Sequence, residues 1–292
     1  MKKRWGDRKD ALLVRDIDAF HAFMIHLYPN RTDAEVYMHA ELDIGPLLAY
    51  MAEKNVNLDD ARYKLTIFHA VVAAVAKVVK MRPLLNRYIS GRKFFDRDGI
   101  TLSFVAKKQF TDHAEEALMI LRPDDSYRLS DYAQKIVGEV REARTGGGDY
   151  GADGILNLLQ KLPLWVNRLV GWGLRRLDSI GKMPADIYDV DPNQTTVLLS
   201  NLGSIKCDAV YHHLNNFGSN SIIITIGEAK TVHEMDANGA VIPRQILPMG
   251  VTIDERIADG FYFARSVKLI QYILAHPQLL DAPLGEVFDY EP

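Results

Sequence analysis

The sequence has a single cysteine, no long apolar run and no excess of basic residues, and each absence excludes a class of protein. Cys207 has no second cysteine to pair with, which excludes an internal disulfide and a zinc cluster built on thiolates. The longest apolar stretch, residues 71–79, is too short for a membrane span and contains Lys77. A formal net charge of −3 argues against a nucleic-acid partner, because phosphate binding needs a basic surface.

The first ten residues are basic, but no apolar segment follows them, so they lack the pattern of a secretory signal. The chain is 48% hydrophobic and 25% charged, which is typical of an ordinary globular protein in water. Together with the lone cysteine, these features predict a cytoplasmic protein.

Helical and strand-like segments alternate irregularly along the 292 residues, which indicates an α+β or mixed-sheet fold. Helices are predicted at 45–55, at 67–81 between the capping Thr66 and Pro83, after the capping Ser130, and at 261–275. Strands are predicted at 100–106, 116–121, 195–199, 221–226 and 247–253. Residues 146–148 are three glycines and predict a surface loop, but strand segments on both sides of them favour one domain over residues 1–292.

Residues 150–190 differ in composition from the rest of the chain and predict a helical insertion. Between 155 and 180, Trp165, Trp172 and many leucines surround Pro163, with Arg168 and Arg175 beside them. Three interpretations stay open: two helices that cover the core or a trimer surface, a lid over an apolar tunnel, and peripheral attachment to a membrane, where tryptophan, leucine and arginine suit the headgroup boundary.

Two motifs in the last hundred residues carry the functional signal. Residues 199–203 read Leu-Ser-Asn-Leu-Gly and include Ser200, and residues 254–260 read Asp-Glu-Arg-Ile-Ala-Asp-Gly, between a strand and the long final helix. They resemble the T-I-S-N-L-G and D-H-R-x-x-D-G motifs of the catalytic domain of 2-oxoacid dehydrogenase acyltransferases, a fold shared with chloramphenicol acetyltransferase. Glu255 occupies the position of the histidine in the second motif. No lipoyl or subunit-binding domain is expected before the catalytic part.

This resemblance implies a two-layer sandwich of mixed sheet and helices that assembles as a homotrimer, with active sites between subunits. It implies that a base at position 255 acts on the thiol of coenzyme A or a dihydrolipoyl group, and that Ser200 of the neighbouring subunit stabilises the oxyanion. Asp259 before Gly260 would be structural and would pair with Arg15. We therefore predict a coenzyme A-dependent acyltransferase for small-molecule donors and acceptors, without a metal.

The glutamate leaves three functional interpretations open. A carboxylate is ordinarily about 4 pKa units more acidic than a thiol, but burial can close much of that gap, so Glu255 is a candidate base. In the second interpretation His212 or His213, which follow the Ser200 strand, replaces the missing histidine. In the third, catalysis is lost and the trimer is a pseudoenzyme that only binds its ligand.

Each of these residues also has an ordinary structural interpretation. Glu255 would form a surface ion pair with Arg256, and Asp259 would cap the last helix. The two histidines would lie in a loop without a ligand. His69, on the apolar helix 67–81, would be a core histidine with a hydrogen-bond partner.

Overall fold

A computed structural model describes residues 3–56, 58, 60–107, 116–145, 161–235 and 238–291 of the protein. Its helices are α1 (Ala19–Leu27), α2 (Gly45–Val56), α3 (Ile67–Met81), α4 (Leu129–Thr145), α5 (Leu164–Ser179), α6 (Ala185–Tyr188) and α7 (Gly260–Ala275). Its strands are β1 (Ala11–Leu13), β2 (Glu35–Asp43), β3 (Arg87–Ser90), β4 (Lys93–Arg97), β5 (Leu102–Lys107), β6 (Glu116–Leu121), β7 (Val197–Asn201), β8 (Ile222–Ile226), β9 (Lys230–Met235) and β10 (Val241–Asp254). The predicted loop at 146–148 lies outside the described residues.

Most strands form one mixed sheet in the order β2-β10-β8-β7-β5-β6, and β9 pairs with the first half of β10. Strands β5, β7 and β8 run parallel to one another, and the outer pairs are antiparallel. A small separate sheet has the order β1-β4-β3. The two motifs therefore lie on central strands, with Ser200 in β7 and Asp254 at the end of β10.

Alternate residues of the central strands face the helices. On β10 the side chains of Leu247, Met249, Val251 and Ile253 join one buried cluster with residues of α2, α3, α4 and α7. On the opposite face, a Cβ on Gly250 would lie 2.5 Å from the carbonyl oxygen of Val210, because the 207–220 loop crosses the sheet there. The result is the predicted two-layer α+β sandwich, with helices packed on one face of a mixed sheet.

Helix α3 forms the centre of the helical layer and has the predicted bounds. Thr66 accepts a hydrogen bond from the backbone of His69 and so caps the first turn, and Pro83 follows the last turn. Residues 69–79 are all buried, including Lys77, whose ammonium group donates to the carbonyl of Pro283 at 2.7 Å. A helix that is apolar around its circumference is expected at such a central position.

Several elements differ from the sequence-based prediction. Helix α4 begins at Leu129, so Ser130 lies inside its first turn and is not its cap. Strand β10 begins at Val241, six residues before the strand predicted at 247, and the sequence analysis predicts neither β9 nor α1 nor the β3–β4 hairpin. Helix α1 and strand β9 expose most of their residues to water, so their apolar periodicity is weak. Strands β3 and β4 are largely buried but only four and five residues long, too short for a clear period.

Helix α5 presents an apolar stripe to solvent. Trp165 is 69% exposed and Trp172 is 67% exposed, with Leu169 between them, and Trp5 near the N-terminus is 92% exposed. Because this stripe faces solvent, it does not cover the core of its own chain. Contact with a neighbouring subunit, a role as a lid and contact with a membrane stay predictions. None of the helices in the described part of the chain combines the length and apolarity needed to cross a membrane.

Candidate active site

Ser200 lies at the carboxyl end of the parallel strands, where an irregular turn follows β7. Its side chain is half-buried, and its hydroxyl makes no hydrogen bond to another described residue. The turn packs tightly against the end of β8, since a Cβ on Gly203 would lie 2.5 Å from the carbonyl oxygen of Gly227. The turn Ser-Asn-Leu-Gly thus fixes the backbone of Ser200 and leaves the serine hydroxyl available to a ligand.

Ser200 borders a cavity of about 640 Å³ between the ends of β5 and β7, the start of α3 and one face of α4. Its wall is largely apolar and is formed by Phe68, Phe104, Val105, Ile136, Val137, Val140, Leu202 and Ile205. At its solvent edge lie the exposed side chains of Arg62, Lys64, Arg141 and Arg144. Such a cavity suits a ligand with an apolar body and an anionic end.

His69 is the buried polar residue of this cavity, on the first turn of α3. The residue is 5% exposed, and among the described residues its Nδ1 atom has no hydrogen-bond partner. Burial lowers the pKa of its imidazole to about 4, so the ring is neutral at physiological pH. The predicted partner for a core histidine is therefore absent within the described structure, and the ring faces the same space as Ser200.

The buried imidazole gives the protein a specific pH dependence of stability. In the unfolded chain a histidine titrates near 6.5, so the unfolded state binds more protons than the folded state between pH 6.5 and 4. Stability is therefore lost as the pH falls through this window. We expect about 2 kcal/mol of loss between pH 7 and pH 5 from His69 alone. Urea unfolding of wild type and His69→Leu at both pH values measures it.

The matched control is His39→Leu, because the His39 side chain is 50% exposed on β2, at the far edge of the sheet from the cavity. This variant should keep the full loss of stability on acidification, whereas His69→Leu should lose about 2 kcal/mol less than wild type. Equal pH dependence in the two variants would contradict the assignment.

The second motif forms a sharp turn between β10 and α7, and it is organised by a buried ion cluster. The carboxylate of Asp254 is fully buried and accepts from Nε and Nη2 of Arg256, both at 2.7 Å, while Nε of Arg31 lies 3.5 Å from it. Burial lowers the pKa of the Arg31 guanidinium, and the charge of Asp254 acts in the opposite direction. The predicted surface ion pair between Glu255 and Arg256 is wrong, because Arg256 is buried and pairs with Asp254.

This buried pairing leaves the carboxylate of Glu255 available. The residue is half-buried, and within the described ranges its side chain forms no hydrogen bond or ion pair. Its backbone is held on both sides, by the ion cluster and by Asp259, which caps α7 through the amide of Tyr262 at 2.7 Å. The turn therefore fixes the backbone of Glu255, and the carboxylate of this residue stays without a partner among the described residues.

Within one chain, Ser200 and Glu255 lie at opposite ends of the sheet. Ser200 pairs in register with Thr225 of β8, and Thr225 pairs with Gly250 of β10. Glu255 follows Gly250 by five residues, directly after the end of β10. With a strand spacing of about 4.8 Å and a rise of about 3.3 Å per residue, the two Cα atoms are roughly 20 Å apart. The two residues cannot act on one reacting group unless they come from different protomers.

The remaining predicted site residues are not brought together. Arg15 donates to a carboxylate oxygen of Asp7 at 3.2 Å and to the carbonyls of Leu13 and Trp5, so its guanidinium is engaged away from Asp259. His212 and His213 are exposed, with ring centroids 4.8 Å apart and ring planes tilted by 35°, and they lie outside the lining of the Ser200 cavity. Across the described residues, no group of three or more histidine, cysteine and acidic side chains is placed to hold a metal ion.

The fold and the two motifs define a class of protein. The family described as 2-oxoacid dehydrogenases acyltransferase (catalytic domain) has a model that matches residues 187–281, from α6 through the end of α7, and so includes Ser200 and Glu255. The chain carries the acyltransferase fold of these catalytic domains, as the sequence motifs predict.

Solved structures extend this likeness over nearly the whole chain. A dihydrolipoamide acetyltransferase from Azotobacter vinelandii is 18% identical with a TM-score of 0.61, over 92% of this chain and 94% of that one. The cubic core of a pyruvate dehydrogenase multienzyme complex is 17% identical with a TM-score of 0.60, over the same shares. A catalytic core from Thermoplasma acidophilum is 13% identical with a TM-score of 0.55, over 90% of this chain and 98% of that one. No curated protein matches the sequence.

Proposed function

We propose that this protein is a coenzyme A-dependent acyltransferase that acts as a homotrimer, with each site built from Ser200 of one protomer and Glu255 of the next. The observation that carries the proposal is the separation of about 20 Å between these residues within one chain. Both side chains lack a partner in the described structure, and both lie on motifs shared with an acyltransferase class. A site shared between protomers gives both of them a role.

The proposed reaction transfers an acyl group from the thioester of coenzyme A to a thiol or a more acidic nucleophile. Glu255 accepts the proton of the nucleophile as it attacks the thioester carbonyl. The hydroxyl of Ser200 donates a hydrogen bond to the oxyanion that forms, and the C–S bond then breaks as the proton passes to the departing thiolate of coenzyme A. The apolar cavity beside Ser200 receives the acyl chain, and Lys64 and Arg141 at its edge attract the phosphates of coenzyme A.

In the Azotobacter vinelandii enzyme, a serine, a histidine and an asparagine were examined for their roles in the catalytic mechanism. This set of residues supports the assignment. Ser200, Glu255 and Asp259 are the residues that this chain offers at the two motifs. The carboxylate of Asp259 is used as the helix cap, so its proposed role is structural. The cubic core formed by another structural relative agrees with an oligomeric assembly.

Complementation between two defective protomers tests the shared site. Ser200→Ala and Glu255→Gln homotrimers should each be nearly inactive in forming S-acetyldihydrolipoamide from acetyl-coenzyme A and dihydrolipoamide. Mixed trimers, isolated after co-expression through two affinity tags, should regain about one third of wild-type sites, because each of them has one neighbour pair in the right order among its three.

The control is co-expression of the double variant, Ser200→Ala with Glu255→Gln, with either single variant, which should restore no activity. Loss of complementation despite mixed trimers would overturn the shared site. The alternative function is a trimer that binds without turnover, and it is favoured by the absence of an imidazole at position 255. It would be supported if acetyl-coenzyme A bound to wild type and no product formed.

A further inference from the structure

The solvent-facing side of α5 has a composition that the proposed reaction does not use. Four large apolar side chains on this side are each more than half exposed, namely Leu164, Trp165, Leu169 and Trp172. The other exposed residues of the helix are all arginines: Arg168, Arg175 and Arg176. This face therefore combines apolar and basic side chains and contains no acid.

The opposite side of α5 is fixed to the rest of the chain. Asp178 in its last turn is buried, and its carboxylate accepts a hydrogen bond from Nε2 of Gln194 at 3.1 Å. The backbone carbonyl of the same residue accepts from the guanidinium of Arg8. Because the inner side is held by these contacts, the tryptophans and arginines point away from the chain that carries them.

The basic residues around α5 have no counter-charge. Residues 161–182 contain five lysines and arginines and one acid, the buried Asp178, whereas the whole chain has 35 basic and 38 acidic residues. All five basic side chains are exposed, and none pairs with another residue in the described part of the chain: Lys161, Arg168, Arg175, Arg176 and Lys182. A positive surface on a chain of net negative charge is complementary to an anionic partner.

The mixture of side chains indicates what this partner is. An anionic lipid surface offers phosphates to arginine and an apolar layer below them to leucine, and the headgroup boundary is where tryptophan is enriched in membrane proteins. A second copy of the same face would instead bring positive charges together. A lipid surface therefore satisfies both the apolar and the basic residues of α5.

We propose that the exposed face of α5 attaches this protein to membranes that contain anionic phospholipids, with the helix lying in the plane of the headgroups. Trp165 and Trp172 enter the boundary between headgroups and acyl chains. The arginines bind lipid phosphates, and their aliphatic stems lie along the apolar surface. The inference concerns where the protein binds and does not depend on the proposed acyl transfer.

Vesicle sedimentation measures this attachment. The protein would be mixed with vesicles of phosphatidylcholine alone, or of phosphatidylcholine with about 30% phosphatidylglycerol. We expect binding to the anionic vesicles to be at least about tenfold tighter, and to weaken as salt rises from about 0.1 M to about 0.5 M. Tryptophan emission should shift to the blue on binding, because the indole rings leave water.

Substitutions on α5 separate the apolar from the electrostatic contribution. Replacing Trp165 and Trp172 together with alanine should weaken binding to anionic vesicles at least about tenfold and abolish the blue shift. Trp5→Ala is the matched control, since Trp5 is equally accessible to water but lies outside α5, and it should keep both. The substituted side chains are exposed, so urea unfolding of the variants should match wild type.

The arginines are tested in the same way. Arg168→Gln and Arg175→Gln should each weaken binding to anionic vesicles about fivefold and leave the weak binding to phosphatidylcholine unchanged. Lys268→Gln on α7 is their control, because Lys268 is also exposed and without a partner among the described residues. This variant should bind like wild type.

Absence of binding to either vesicle, equal binding to both, or full binding by the variant with Trp165→Ala and Trp172→Ala would each overturn the proposal. Dissociation of an oligomer by this double substitution without lipid, seen by analytical ultracentrifugation, would also overturn it, because a neighbouring copy would then cover the face. Vesicle binding without acyl transfer would leave this inference intact and refute the proposed function alone. Acyl transfer without vesicle binding would do the reverse.

Discussion

Replacing Asp254 with asparagine is expected to lower the free energy of unfolding by about 3–5 kcal/mol. The change removes one negative charge from a cluster in which the guanidinium groups of Arg31 and Arg256 are both buried. Without the carboxylate, two like charges remain close together away from water. The amide of asparagine is similar in size, so lost packing contributes little. Urea unfolding followed by circular dichroism measures the effect.

The matched control is Asp208→Asn. The carboxylate of Asp208 is 66% exposed and lies 3.3 Å from the ammonium group of Lys230 on the surface. Breaking such a pair should cost less than about 1 kcal/mol. If the two substitutions cost the same, the cluster at Asp254 would contribute no more than a surface ion pair, and the turn that presents Glu255 would have to be held by other contacts.

The Glu255→Gln variant is expected to lower kcat by about 10²- to 10⁴-fold, while the KM for acetyl-coenzyme A changes little. Glutamine has nearly the same shape but cannot accept the proton of the nucleophile. Because the side chain of Glu255 has no partner in the described ranges, the substitution should leave the free energy of unfolding unchanged within about 0.5 kcal/mol. Steady-state kinetics and urea unfolding of the same preparation measure both quantities.

Glu41→Gln is a suitable control, since Glu41 is an exposed residue of β2 and takes no part in the proposed site. Replacing Glu255 with histidine is expected to raise turnover if the rest of the site is intact, because an imidazole is better matched to a thiol. Unchanged turnover in Glu255→Gln, together with loss of turnover in His213→Ala, would assign the base to the exposed histidine pair instead.

The sequence predicts the central elements of the fold because their signals are local. Thr66 and Pro83 define both ends of α3, and β8 and the second half of β10 are rich in apolar residues. The β9–β10 hairpin has one local sequence signal, the dipeptide Asn238-Gly239, and Gly239 occupies the left-handed region that glycine favours in turns. Its polar flanks concealed it, as every residue of β9 except Val232 is exposed.

The site was less accessible to sequence reasoning than the fold. The motifs identify Ser200 and Glu255, but their separation follows from strand order and register, which no local pattern contains. His69 looks like any polar residue on an apolar helix, and only the packing of α4 beside α3 shows that its ring faces a cavity. The pairing of Arg256 with Asp254, two positions away, depends on the tight turn that brings their side chains together in the interior.

The placement of the three tryptophans has a practical consequence for spectroscopy. Trp5, Trp165 and Trp172 are all more than half exposed, and none belongs to the buried clusters. The native emission spectrum should therefore already be red-shifted, and it should change little when the sheet and helices melt. The same fluorophores on α5 would respond strongly to anything that covers that helix. Intrinsic fluorescence of this protein is thus an optical probe of assembly and not of denaturation.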